Sequence, residues 1–139
     1  MKEYRYEDLY IGLTESFEVE ITEEMMKSFL NVTGDENPLH NDNEFAKEQG
    51  YLNKVVYGML TSSFVSKLVG VYLPGKYCLL QGLEAKYLRP VYVGDRLTVS
   101  GSIDELHESV KRASVKFVIT NQDEKKVAKG KADVGFLSY

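Results

Sequence analysis

Apolar and polar residues alternate along this chain at two different periods, and the change of period divides it. Residues 14–20, TESFEVE, alternate Phe17 and Val19 with polar neighbours, which predicts a short strand ending near Ile21. Thr22 follows in the position of an N-cap, with Glu23 and Glu24 at the positive end of the helix dipole. Met25, Met26, Phe29, Leu30 and Val32 then recur at helical spacing, so a short amphipathic helix is expected over 23–32. The segment TGDENPLH at 33–40 breaks that pattern, because Gly34 permits unusual backbone angles and Pro38 fixes one. A second short helix is expected after Asn43, through EFAKEQ and stopping at Gly50.

Residues 58–73 are almost uncharged all round, which a half-exposed helix cannot be. They predict one buried helix of about 24 Å. Gly58, Ser62, Ser63, Ser66 and Gly70 keep parts of its surface thin, and Pro74-Gly75 ends it. Everything beyond reads as strand. Leu79, Leu83, Ala85 and Tyr87 mark one face of 79–88, and Arg89-Pro90 with Gly94-Asp95 form the exit turn. Leu97, Val99, Gly101 and Ile103 mark a face of the next strand, and Ala113, Val115, Phe117 and Ile119 a face of the one after. Past the polar turn NQDEKK, Ala128, Gly130, Ala132, Val134 and Phe136 do the same. Hairpin-linked strands of this kind form an antiparallel meander with one buried face. That face needs a cover, and only 58–73 is apolar enough to supply it. The expected fold class is therefore α+β, a long central helix wrapped by an antiparallel sheet.

The length, 139 residues, fits a single domain over 1–139, and 43% hydrophobic against 27% charged residues marks an ordered globular chain. A formal charge of −4 argues against a general binder of nucleic acid or anionic membranes. Cys78 is the only cysteine, so neither a disulfide framework nor a cysteine-based zinc site is available; a reducing compartment suits it. The apolar run 55–73 nearly reaches the roughly 20 residues that cross a bilayer, but Lys67 and the hydroxyls at 61–63 and 66 interrupt it. The opening MKEYRYEDLY holds no signal-peptide core. A cytoplasmic location is the expectation.

Two histidines are candidates for chemistry. His107, in ELHES, is surrounded by polar residues at a turn and reads as a solvated loop residue. His40 closes the segment that begins at Gly34, and Asp35 lies five residues before it. A loop kinked by Gly and Pro can fold an acid and a base to one point, where a helix would hold them apart. The same residue types also fit a turn capped by Asp35 with His40 holding backbone, and the types alone leave both readings open.

As a pattern, Thr33-Gly-Asp35-x-Asn37-Pro38-Leu39-His40 followed by Ala46 resembles the hydratase motif of the MaoC-like (R)-specific enoyl-CoA hydratases, which have the hot-dog fold. Val56-Tyr57-Gly58-Met59-Leu60 resembles the start of that family's central helix and Leu73-Pro74-Gly75 its end. Leu88-Arg89-Pro90-Val91-Tyr92-Val93-Gly94-Asp95 resembles its strand-and-turn, so the likeness covers nearly the whole chain.

The resemblance implies an (R)-specific enoyl-CoA hydratase or 3-hydroxyacyl dehydratase. Asp35 and His40 match the catalytic dyad that holds a water for addition to a trans-2-enoyl thioester. Gly58 matches the glycine whose backbone N–H meets the thioester oxygen, and Ser66 a serine lining the site. Asn37 is expected to order the loop, and Asp42 to be a cap or surface residue. No cofactor and no metal are implied. The expected partners are an acyl thioester on coenzyme A or a carrier protein and a second copy of the chain as a homodimer, with no nucleic acid and no membrane. Two positions depart from the family: Tyr57 stands where a His is usual, and Asn53-Lys54 where Arg-Pro is frequent. Rival readings are a hot-dog thioesterase, weakened because 58–73 has no Asp or Glu, and a non-catalytic acyl-CoA-binding module, which needs no acid–base pair. A metal held by His40, Asp35 and Asp42 would have a weak ligand set.

Overall fold

The computed structural model describes residues 1–138. Five strands form one antiparallel sheet in the order β1-β3-β4-β5-β2: β1 (Thr14–Glu20), β2 (Cys78–Tyr87), β3 (Arg96–His107), β4 (Arg112–Thr120) and β5 (Lys126–Phe136). β3, β4 and β5 are the expected meander. β1 closes one edge against β3, and β2 closes the other against β5. The inward residues of the meander are the predicted ones, with Leu97, Val99, Ile103, Val115, Phe117, Ile119, Ala132 and Val134 all buried.

Helix α1 (Glu23–Thr33) starts where Thr22 Oγ1 accepts from Met25 N at 3.1 Å. It ends at Gly34, whose φ of 71° is the left-handed cap conformation that glycine adopts without strain. A single helical turn, α2 (Pro38–Asn41), follows in the stretch expected to be irregular, and then α3 (Asn43–Glu48). Asp42 caps α3 by accepting from Glu44 N and Phe45 N, the structural role expected of it.

The central helix differs from its prediction in one respect. Residues 58–73 are not one regular α-helix: α4 runs Gly58–Lys67 and continues as a π-helical turn over Leu68–Tyr72. Leu68, Val69 and Leu73 bury themselves against the sheet, where Gly101 leaves room for the Leu68 side chain. A Cβ built on Gly101 would lie 2.7 Å from Leu68 Cδ2, so a side chain there would block this approach of helix to sheet. The structure is the hot-dog arrangement, an antiparallel sheet curled around a central helix.

β2 corrects a second expectation. Leu79 and Leu83, expected with Ala85 and Tyr87 to mark one face, are 45% and 46% exposed, and Leu80 is exposed with them. The strand is an edge, and a register shift between Leu80 and Gly82 turns its side chains. Alternation identifies the members of a face, but not whether anything lies over it. The Cys78 thiol is pushed up to about 11 by burial, which keeps it protonated and unreactive at neutral pH. No helix among the described residues is long and apolar enough to cross a membrane.

Candidate active site

The loop between α1 and α3 is built from short-range polar bonds. Asp35 Oδ1 accepts from Asn37 N at 3.0 Å, and Asn37 Oδ1 accepts from Leu39 N at 2.9 Å, which starts α2. Asn37 thus orders the loop. Asn41 Nδ2 reaches back to the carbonyls of Asn37 and Asp35. These bonds turn the chain so that His40 faces inward.

His40 Nδ1 lies 2.6 Å from Val55 O. A carbonyl only accepts, so Nδ1 carries the proton and donates it. With Nδ1 so engaged, the ring nitrogen left to exchange a proton is Nε2. Tyr57 packs on the other side of this arrangement, its ring stacked on His40 with centroids 4.4 Å apart. Its hydroxyl donates to Asp35 O at 2.8 Å and accepts from Asn41 Nδ2 at 3.1 Å. Tyr57 is 2% exposed, and Phe29 of α1 packs on its ring. The aromatic that replaces the family histidine thereby ties Asp35's backbone to the wall that holds His40. Lys54, the other departure, ion-pairs with Glu23 of α1 and is absent from the lining of the pocket.

His40 lines a pocket of about 380 Å³ with Gly58, Thr61, Tyr87, Leu88, Arg89 and several valines. Gly58 is the first residue of α4, so its N–H has no intrahelical acceptor and sits at the positive end of the helix. Tyr87 roofs it closely: a Cβ on Gly58 would come within 3.2 Å of the Tyr87 ring. Tyr87 is held by Ser62, whose Oγ lies 2.8 Å from the tyrosine oxygen. The pocket thus combines a proton acceptor with an amide donor, between walls formed by Val55, Val56, Val91 and Val127.

Of the residues singled out by sequence, the structure brings His40 and Gly58 together in this pocket. Asp35 lies on the adjoining loop with an exposed side chain, outside the lining. Ser66 is exposed on α4 about two turns beyond Gly58, also outside the lining. His107 ends β3 and pairs with Glu105 at 3.2 Å, far from any role here. Among the described residues no three His, Cys, Asp or Glu side chains converge as a metal-ligand set. Sequence reasoning missed Thr61, Tyr87 and the structural task of Tyr57. In the sequence Tyr87 is one strand residue among several, and Thr61 one hydroxyl in a run.

Residues 12–127 match the family model described as MaoC like domain, and the chain belongs to that family. It is 30% identical over 119 residues to a 3-hydroxybutyryl-CoA dehydratase of Methylorubrum extorquens, spanning 86% of this chain and 76% of that protein. It is 37% identical over 81 residues to an (R)-specific enoyl-CoA hydratase of Aeromonas caviae, spanning 58% of this chain and 60% of that one. In structure it superposes on R-hydratase PhaJ1 from Pseudomonas aeruginosa with a TM-score of 0.89 at 27% identity, over 97% of this chain and 86% of the other.

Proposed function

We propose that the chain is an (R)-specific enoyl-thioester hydratase, working in either direction as hydratase or 3-hydroxyacyl dehydratase. The observation that carries this reading is the pairing of His40 Nε2, freed as an acceptor by the Val55 bond, with the unpaired Gly58 amide in one pocket. In the hydration direction the thioester carbonyl oxygen sits on the Gly58 N–H. A water held by Asp35 and His40 loses a proton to the dyad as its oxygen bonds Cβ of the trans-2-enoyl group. The electrons of the double bond move toward Cα and the carbonyl, which becomes enolate-like, and the helix N-terminus favours that charge. The protonated dyad then returns a proton to Cα, giving the 3-hydroxyacyl thioester with no net change in the enzyme. The (R) configuration is carried over from the named relatives.

Asp35 enters this scheme as the second member of the dyad. Its support is the Tyr57 and Asn41 bonds to its carbonyl, which fix its backbone beside His40. Swinging its carboxylate toward the water requires release of the Asn37 N–H bond. Ser66, exposed on α4 and outside the pocket lining, takes no part in this scheme.

The two sheet edges support a homodimer. β1 is a short edge of seven residues carrying Glu15, Glu18 and Glu20, which discourages strand addition. β2 is ten residues long, and it presents Leu79, Leu80, Leu83 and Tyr87 to solvent, all exposed. Pairing of β2 with its copy would cover this edge and give a continuous sheet.

The test is hydration of crotonyl-CoA, followed as loss of the enoyl-thioester absorbance, with chiral analysis of the product and Asp35→Asn alongside. Formation of the (R)-3-hydroxy product, reduced roughly 10²-fold or more in Asp35→Asn, is the expected result. Wild type that hydrolyses acyl-CoA instead of hydrating any enoyl thioester would overturn the reading in favour of a thioesterase.

A further inference from the structure

Three consecutive hydroxyls open the second turn of α4, and they fare differently. Ser62 Oγ bonds the Tyr87 hydroxyl, and Ser63 Oγ donates to Leu60 O. Among the described residues Thr61 Oγ1 has no hydrogen-bond partner, although the residue is only 2% exposed. A threonine inside a helix ordinarily settles its hydroxyl on the carbonyl three or four residues back. Here those carbonyls belong to Gly58 and Tyr57, and the hydroxyl takes neither. A buried hydroxyl left unpaired is costly, so such groups are rare and point to a missing partner.

The position of Thr61 bears on what that partner is. Thr61 lines the same pocket as His40 and Gly58. It lies three residues after Gly58, one turn along on the same helix face, and Cα–Cβ bonds tilt toward the helix N-terminus. The oxygen is covered in this arrangement, and rotation about the Cα–Cβ bond is what would turn it toward the free amides of the first turn. One backbone N–H alone is a sparse site for a carbonyl oxygen that gains full negative character.

We infer that the Thr61 hydroxyl is the second donor to the thioester carbonyl oxygen, completing with the Gly58 N–H the site that stabilises the enolate. Thr61 is then a catalytic residue, touching substrate through one hydrogen bond that strengthens as charge develops. This rests on the hydratase reading and adds to it a residue that no motif position assigns.

The experiment compares wild type, Thr61→Val and Thr61→Ser for enoyl-CoA hydration kinetics and thermal melting. Val is nearly isosteric and has no polar atom to leave unpaired, so the melting temperature is expected to hold or rise. Turnover should fall on the order of 10²-fold, mainly in kcat, because the bond matters most in the transition state. Thr61→Ser keeps the hydroxyl and should recover most of kcat. A Thr61→Val enzyme with wild-type kcat would overturn the inference while leaving the hydratase reading intact. So would a kcat loss that Thr61→Ser shares in full, with both variants melting lower, since that marks a packing role. Wild type without hydration of any enoyl thioester would instead overturn the hydratase reading, and the inference with it.

Discussion

The two halves of the central helix are made of similar small and apolar residues, and they have opposite fates. From Val65 to Leu73 every inward side chain is covered, and Leu68 and Leu73 have no exposed surface at all. From Tyr57 to Ser62 the same helix stands over a pocket, with a free amide at Gly58 and an unpaired hydroxyl at Thr61. The Val65–Leu73 half is finished by packing within the chain, whereas the other leaves the Gly58 amide and the Thr61 hydroxyl unmatched among the described residues. In a folded protein such incompleteness is costly, and it is concentrated in one helical turn facing one cavity. The difference sets apart the turn at which the proposed substrate would complete the structure.

Substitutions in the two halves should therefore separate stability from activity. The largest effect on folding belongs to the packed half. Leu68→Ala removes a fully buried side chain beside Gly101 and should cost about 2–5 kcal/mol in denaturant unfolding, while the fraction that remains folded keeps near-normal specific activity. Loss of activity at unchanged stability in this variant would break the comparison.

In the pocket half the signs reverse. Gly58→Ala gains helix propensity, about 1 kcal/mol at most, but pushes a methyl to 3.2 Å from the Tyr87 ring at the mouth of the pocket. It should melt close to wild type and lose turnover by tens of fold, with Tyr87→Ala in the same chain restoring part of it. Full activity in Gly58→Ala alone would show that the amide and its roof do not meet the substrate. The smallest effect falls on the link between loop and helix. Tyr57→Phe keeps the ring on His40 but deletes the bond to Asp35 O, and should cost about 1 kcal/mol of stability with a few-fold loss in kcat.

The sequence made the frame of this arrangement legible. The Thr22 cap, the stop at Gly34 and the start of α4 at Gly58 are local signals, written in residues that act on their neighbours. The meander was legible because one face of β3, β4 and β5 is covered throughout, so alternation and burial agree. β2 misled because it lies at an edge, where its leucines alternate without being covered. The π-helical turn at 68–72 left no trace, since an apolar run reads the same whether the backbone bonds step by four residues or five.

In the site the motif located His40 and Gly58, but spacing could not say which way a carboxylate turns, and Asp35 faces outward onto Asn37. Thr61 was hidden for another reason. In sequence it is one of three equal hydroxyls, and only the positions of Tyr87 and the Leu60 carbonyl distinguish its neighbours from it.

The most direct test of the central claim is His40→Asn, assayed for enoyl-CoA hydration beside wild type and checked by thermal melting. The asparagine amide can keep a donor near the place of Nδ1, and so the bond to Val55 O, while Nε2 is removed. The account predicts a protein that melts close to wild type and hydrates at least about 10²-fold more slowly. A His40→Asn protein that is equally stable and still hydrates at the wild-type rate would contradict it.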